Sequence, residues 1–192
     1  MLDRDTPSEP HGPAVAPGVY TLKLTVNGKT YTQTLNVRMD PRVVTPPLGL
    51  AQQFALSMQA YDGSKTTFEV LTAIRNLRRQ SAAVREKTGA GALTDALMAF
   101  EKKLSELDGS GARPAPGAPQ PASLGKLNGD FLTLLNLLQD ADATPTTQVV
   151  KAMNGASAAL KPLLAHWETV KNTDLPALNK LLRANGQPVL QV

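Results

Sequence analysis

Residues 54–77 read FALSMQAYDGSKTTFEVLTAIRNL, and the fold turns on whether this stretch is one helix or two. Phe54, Met58, Tyr61, Phe68, Leu71, Ile74 and Leu77 recur at steps of three and four, apart from one seven-residue gap around Lys65. That spacing is the apolar stripe of an amphipathic helix. Asp62-Gly63-Ser64 has the composition of a break, and Thr66-x-x-Glu69 has the form of a capping box that would restart the helix. The apolar register nevertheless carries across the gap unchanged. One long helix over about 48–87, closed by Gly89-Ala90-Gly91, is therefore favoured over two helices broken at 62–64.

The same period continues downstream. Leu93, Leu97, Phe100, Leu104 and Leu107 form a second stripe, which Asp108-Gly109 stops. Residues 109–122, GSGARPAPGAPQPA, read as a Pro/Gly/Ala linker long enough to let the chain cross the end of a bundle. Ser123 is placed to cap a third helix carrying Leu124, Leu127, Phe131, Leu134 and Leu138, with Leu135 and Leu137 widening the stripe. Gly129 falls inside that helix, where it is expected to permit close helix packing. Thr144-Pro145 reads as the next start, a capping hydroxyl with Pro at the first helical position. The fourth stripe is Val149, Met153, Ser157, Leu160, Leu164 and Trp167, with a kink expected near 158–162 because Pro162 removes a backbone donor. A short last helix runs from Asp174 to Ala184, with Pro176 in its first turn and Asn185-Gly186 at its end. Four stripes on connected helices predict a mainly α fold, an antiparallel four-helix-type bundle over 45–192.

Upstream the period changes from 3.6 to 2. Residues 1–17 hold Pro7, Pro10, Pro13 and Pro17 and read as an extended arm. Tyr20, Leu22, Leu24 and Val26 then alternate with Thr21, Lys23 and Thr25. After Asn27-Gly28, whose residues accept the positive φ of a type I′ turn, Tyr31, Leu35, Val37 and Met39 alternate with Thr30, Thr32, Thr34 and Asn36. This is a β-hairpin, ended by Asp40-Pro41 and joined to the helices through Thr45-Pro46-Pro47. Arm and hairpin form a first region over 1–44. An isolated two-stranded ribbon is marginal in water, so the apolar face needs a cover, either the bundle or strands outside this chain.

Composition narrows the chemistry. The chain has 192 residues, 42% of them hydrophobic, with few aromatics, so the core leans on Leu, Ala, Val and Met. The net charge of +4 is mixed along the sequence. The one basic cluster, Arg75, Arg78, Arg79, Arg85 and Lys87, reads as a solvated helix face rather than a nucleic-acid footprint. No cysteine is present, which removes disulfides, thiolate metal sites and cysteine catalysis. The start, Met1-Leu2-Asp3-Arg4-Asp5, shows no signal peptide, and no apolar stretch reaches membrane-spanning length.

No catalytic motif emerges. His11 and His166 lack a second ligand at metal spacing. Asp140 and Asp142 sit in one turn, where they serve solvation and helix capping better than two-carboxylate catalysis. The glycines form no phosphate loop. The expectation is a protein that is not an enzyme, with no cofactor and no metal. Tyr61 with Trp167 could line a pocket between helices. The candidate interaction surface is Tyr20, Leu22, Leu24, Tyr31, Leu35 and Val37 of the hairpin, together with Tyr61 and Trp167.

The stretch Pro17-Gly18-Val19-Tyr20-Thr21-Leu22-Lys23-Leu24-Thr25-Val26-Asn27-Gly28-Lys29, with Leu35-Asn36-Val37 and Asp40-Pro41-Arg42, resembles the last two strands of an Ig-like domain. The rest of the chain, toward its C-terminus, is similar to the C-terminal region of bacterial sortilin-like β-propeller proteins often labelled BNR-repeat glycosyl hydrolases. The stretches that carry this are Gln53-Phe54-x-Leu56-Ser57-Met58, Leu127-Asn128-Gly129, Asp142-Ala143-Thr144-Pro145-Thr146 and Asp174-Leu175-Pro176-Ala177-Leu178-Asn179. The resemblance covers about 13–190, its motifs are short and structural, and no family catalytic residue maps onto them. It implies a non-catalytic C-terminal appendage of a larger exported protein, periplasmic or extracellular, whose upstream domains, or another chain, cover the hairpin. The sequence itself leaves the compartment open. A helical module binding glycans or peptides near Trp167 and Tyr61 is the alternative, and a carbohydrate hydrolase a third reading.

Overall fold

A computed structural model describes residues 12–111 and 120–192. Pro7, Pro10 and His11 of the arm, and 112–119 of the linker, lie outside the described residues. The hairpin pairs β1 (Gly18–Val26) with β2 (Lys29–Val37), antiparallel. Asn27 and Gly28 have φ of 48° and 75°, the positive pair that a type I′ turn demands. The bundle comprises α1 (Pro47–Arg85), α2 (Ala92–Asp108), α3 (Leu124–Gln139), α4 (Thr147–Thr169) and α5 (Leu175–Ala184). A π-helical segment, Val170–Asp174, joins α4 to α5 without a loop, so four long helical runs follow the hairpin.

Helix α1 is 39 residues long and unbroken at Asp62–Ser64. At 1.5 Å rise per residue it extends about 58 Å. Its partners change in strict order along it. Gln53 Nε2 donates to the carbonyls of Leu138 and Ala141, Gly63 faces the ring of Phe131, and Asn128 Nδ2 donates to Thr67 Oγ1 at 2.9 Å. Farther on, Arg78 pairs with Asp108 at 3.0 Å, and Ser81 Oγ and Arg85 both bond Glu101 at 2.9 Å. Climbing α1 thus means descending first α3 and then α2. These two shorter helices stack end to end as one interrupted rod antiparallel to α1. The α4–α5 run returns parallel to α1, with Gln59 Nε2 bonding Ser157 Oγ at 2.8 Å near one end.

The junction within the interrupted rod is tight. A Cβ on Gly109 would lie 2.4 Å from Ser123 Oγ, and one on Gly125 would lie 2.7 Å from the carbonyl of Asp108. The end of α2 and the start of α3 therefore meet at one place, so the step from one helix to the next requires no crossing of the bundle end. Gly129, expected to allow close packing, has nothing within 4 Å of an added Cβ and lies on the exposed side.

The core divides along α1. One cluster joins Ile74, Leu77 and Val84 to the stripe of α2, to Leu124, and to Trp167, Val170 and Leu182. The other joins Leu56 and Ala60 to Leu127, Phe131 and Leu138 of α3 and Met153 of α4. Leu135 is buried as expected, whereas Leu137 is 57% exposed and lies off the stripe. Two members of the basic cluster, Arg78 and Arg85, are committed to carboxylates of α2.

The starts of α3 and α4 depart from the sequence pattern to different degrees. Ser123 caps α3 as its sequence implies, its side chain accepting from Lys126 N. Helix α4 begins two residues later than Thr144-Pro145 suggested, with Thr146 as its cap accepting from Val149 N. Thr144 instead packs on α1, where a Cβ on Gly49 would meet its Oγ1. Pro162 lies within continuous α4; it and Ala158 are exposed, so water can satisfy the carbonyl that Pro162 leaves unpaired. The irregularity comes later, at 170–174. Pro176 cannot donate to Asn172 and would crowd its carbonyl, and a wider turn, with Leu175 N–H donating to Val170 O, relieves both problems.

Gly63 is where the proposed break becomes a contact. An added Cβ would lie 2.7–2.8 Å from three ring atoms of Phe131, itself 1% exposed. Gly63→Ala should therefore destabilise the protein by about 1–3 kcal/mol by overpacking, despite the gain of roughly 1 kcal/mol in helix propensity. In urea melts, Phe131→Leu should cost less in the Gly63→Ala background than in the parent. A Gly63→Ala protein as stable as the parent would refute the role given to this contact.

Candidate interaction surface

In the hairpin ladder, Tyr20 opposes Leu35, Leu24 opposes Tyr31, and Gly18 opposes Val37. Directly opposed residues share a face. Tyr20, Leu22, Leu24 and Val26 thus stand with Tyr31, Leu35 and Val37 on one side, where Gln33 and Lys29 interrupt the apolar row, and the threonines with Lys23 and Asn36 stand on the other. Exposure of Leu22, Leu24, Tyr31 and Leu35 is 51, 62, 58 and 44%. The bundle does not cover this face. At about 3.3 Å per residue and 4.8 Å between strands, the face measures on the order of 300 Å², and both strand edges are unpaired among the described residues.

The root of the hairpin is held. Ala14 N–H donates to Gln139 Oε1 at 2.6 Å, and Tyr20 Oη donates to the carbonyl of Ala16 at 2.6 Å, leaving Tyr20 half-buried. Val15, Pro17 and Met39 gather with Leu50 and Phe54 of α1 around a cavity of about 70 Å³. Arg42 bonds both carboxylate oxygens of Asp40 and holds that carboxyl below its usual range. The blade therefore projects from a fixed base.

The other candidates separate. Tyr61 is half-buried beside Ser64, Phe68 and Asn128, on a cleft of about 350 Å³ against α3. Trp167 is 4% exposed in the opposite core cluster, with Lys171 Nζ 5.8 Å from its ring centroid. The length of α1 keeps the two aromatics in different halves of the bundle, so they do not line one pocket. His166 is half-buried near the end of α4. Asp142 contributes its backbone carbonyl, which accepts from Thr45 Oγ1 at 2.6 Å; the helix-start role expected of this turn belongs to Thr146.

One further arrangement has no counterpart in the sequence patterns. Residues 187–192 run extended between α1 and α5. Asn179 accepts from Leu190 N and donates to Leu190 O, each at 2.8 Å. Gln80 accepts from Gln191 N at 2.9 Å and donates to Gln191 O at 2.8 Å. Leu190 is 2% exposed and belongs to the core cluster of α1, α2 and α5. A lone leucine after a helix stop carries no periodicity, and the nearest hint is that Asn179 is a polar residue on the apolar face that Leu175, Leu178 and Leu182 form along α5.

Since the bundle does not use the hairpin face, the double substitution Leu24→Ser, Tyr31→Ser should shift bundle stability by less than about 0.5 kcal/mol. Leu104→Ala, at a fully buried position, should cost about 2–5 kcal/mol. Thermal unfolding followed by helical circular dichroism separates the two, and comparable losses would show that the face is covered after all. In comparisons with known protein families, curated proteins and solved structures, none matches this chain.

Proposed function

We propose that this chain is a non-catalytic structural and interaction module whose helical bundle presents the hairpin to strands of a larger β-sandwich, as the appendage of a bigger protein. The observation that carries this reading is an apolar hairpin face, exposed at Leu22, Leu24, Tyr31 and Leu35, above a root bonded to the bundle. Leaving such a face and two edges open is unfavourable in water. A second copy stacked face to face would bury on the order of 600 Å² in total, well under the roughly 1,200 Å² or more of stable interfaces. A β-sandwich offers a facing sheet and strand edges together, which suits an alternating ribbon better. The resemblance of Pro17 to Val37 to closing Ig-like strands points the same way, and would place the parent protein outside the cytoplasm. No helix among the described residues is long and apolar enough to cross a membrane.

The partner in this reading is a β-rich domain encoded ahead of residue 1 in the same reading frame. Expressed separately and mixed with this chain, it should slow hydrogen exchange at the β1 and β2 amides while leaving α3 unchanged. Leu24→Ser with Tyr31→Ser should weaken that association at least tenfold. An upstream frame without β-domain sequence, or hairpin amides equally exposed in the mixture, would overturn the proposal.

A further inference from the structure

Independently of the hairpin, we propose that the groove between α1 and α5 is a binding site for an extended peptide strand with a leucine anchor, occupied in cis by residues 187–192. In an extended chain the N–H and C=O of one residue point to one edge and those of the next residue to the other. A side-chain carboxamide offers one donor and one acceptor face in the plane of a peptide group. Asn179 grips both polar atoms of Leu190 on one edge, and Gln80 grips both of Gln191 on the other. The bonding at each edge is that of the hydrogen-bonded pair in an antiparallel ladder, supplied here by two helices in place of a neighbouring strand.

This mode of holding reads the backbone, so it accepts any strand whose side chains fit. Leu190 supplies the side-chain selection, entering the core beside Val84 and Leu182. Gln191 and Val192 are exposed, Val189 is half-buried, and a cleft of about 180 Å³ remains along Ala83, Val84 and Lys87. The segment thus depends on one buried side chain and two amide clasps. It pivots at Asn185-Gly186, where Gly186 has a φ of +65° and Gln187 N–H closes the helix end on Leu182 O. A displacing ligand would be a short extended peptide of the type Pro-x-Leu-x, polar beyond its leucine.

The test uses the full chain carrying Leu190→Asp, which disengages the cis segment, and a fluorescein-labelled peptide of the sequence 186–192, GQPVLQV. Fluorescence anisotropy should show saturable binding to this variant, with affinity for the unaltered chain at least tenfold weaker because the cis segment competes. Adding Asn179→Ala or Gln80→Ala should weaken binding to the Leu190→Asp chain at least tenfold again, and a peptide with Asp at the leucine should not bind. If Leu190→Asp does not fold, Leu190→Ala takes its place in the same titration. Absence of saturable binding to a folded variant, or binding unaffected by both amide substitutions, overturns the proposal.

Discussion

The contact between α1 and α3 at Gly63 and Phe131 sets the register on which the bundle is built. The phenylalanine ring rests on bare backbone, and one turn away Asn128 bonds the carbonyl of Ser64 and the hydroxyl of Thr67. Thr67 in turn donates to the carbonyl of Gly63 at 2.9 Å. Sliding α3 by one turn, about 5.4 Å, would bring Ala60 or Thr67 toward the ring, and each carries a Cβ where Gly63 has none. With α3 fixed, Ser123 lies against Gly109, and α2 is placed on the far half of α1. The cross-section then holds three rods, with α4 and α5 closing the third side.

The third rod reconciles two prolines with one continuous run. Pro162 stays on the water-exposed side, where a lost donor costs little. Pro176 follows the π segment, whose wider turn changes the phase between the residues before and after it. Asp174 is held at that turn by Lys103 of α2, Nζ to Oδ1 2.6 Å, so the phase change is fastened to the middle rod. Val170, Leu175, Leu178 and Leu182 consequently enter the same core cluster as Trp167.

Much of this was legible in the residues. Period-2 alternation with Asn27-Gly28 gave the hairpin and its turn, and the steps of three and four gave each helical stripe, including the continuous register through Asp62–Ser64. What stayed hidden depends on contacts between distant segments. Gly63 and Gly129 look alike in sequence, and only the approach of Phe131 makes one indispensable. Leu137 falls on a widened stripe but faces water, because α3 has just two neighbouring rods to bury against. Tyr61 and Trp167 belong to different core clusters, a separation set by the stacking of α2 on α3 along α1 and carried by neither stripe alone. The clasp on residues 187–192 pairs Gln80 with a backbone 111 positions away, a relation that no local pattern encodes.

The interruption in the middle rod gives the chain a place where its length is free. Gly109 and Ser123 touch, so the connection between them begins and ends at one place on the bundle. Loop-closure entropy grows only slowly with length, by roughly 0.6 kcal/mol per doubling. A compact domain whose own termini lie close together could therefore be spliced into this connection without displacing either half of the rod, and the bundle would serve as a rigid mount for it.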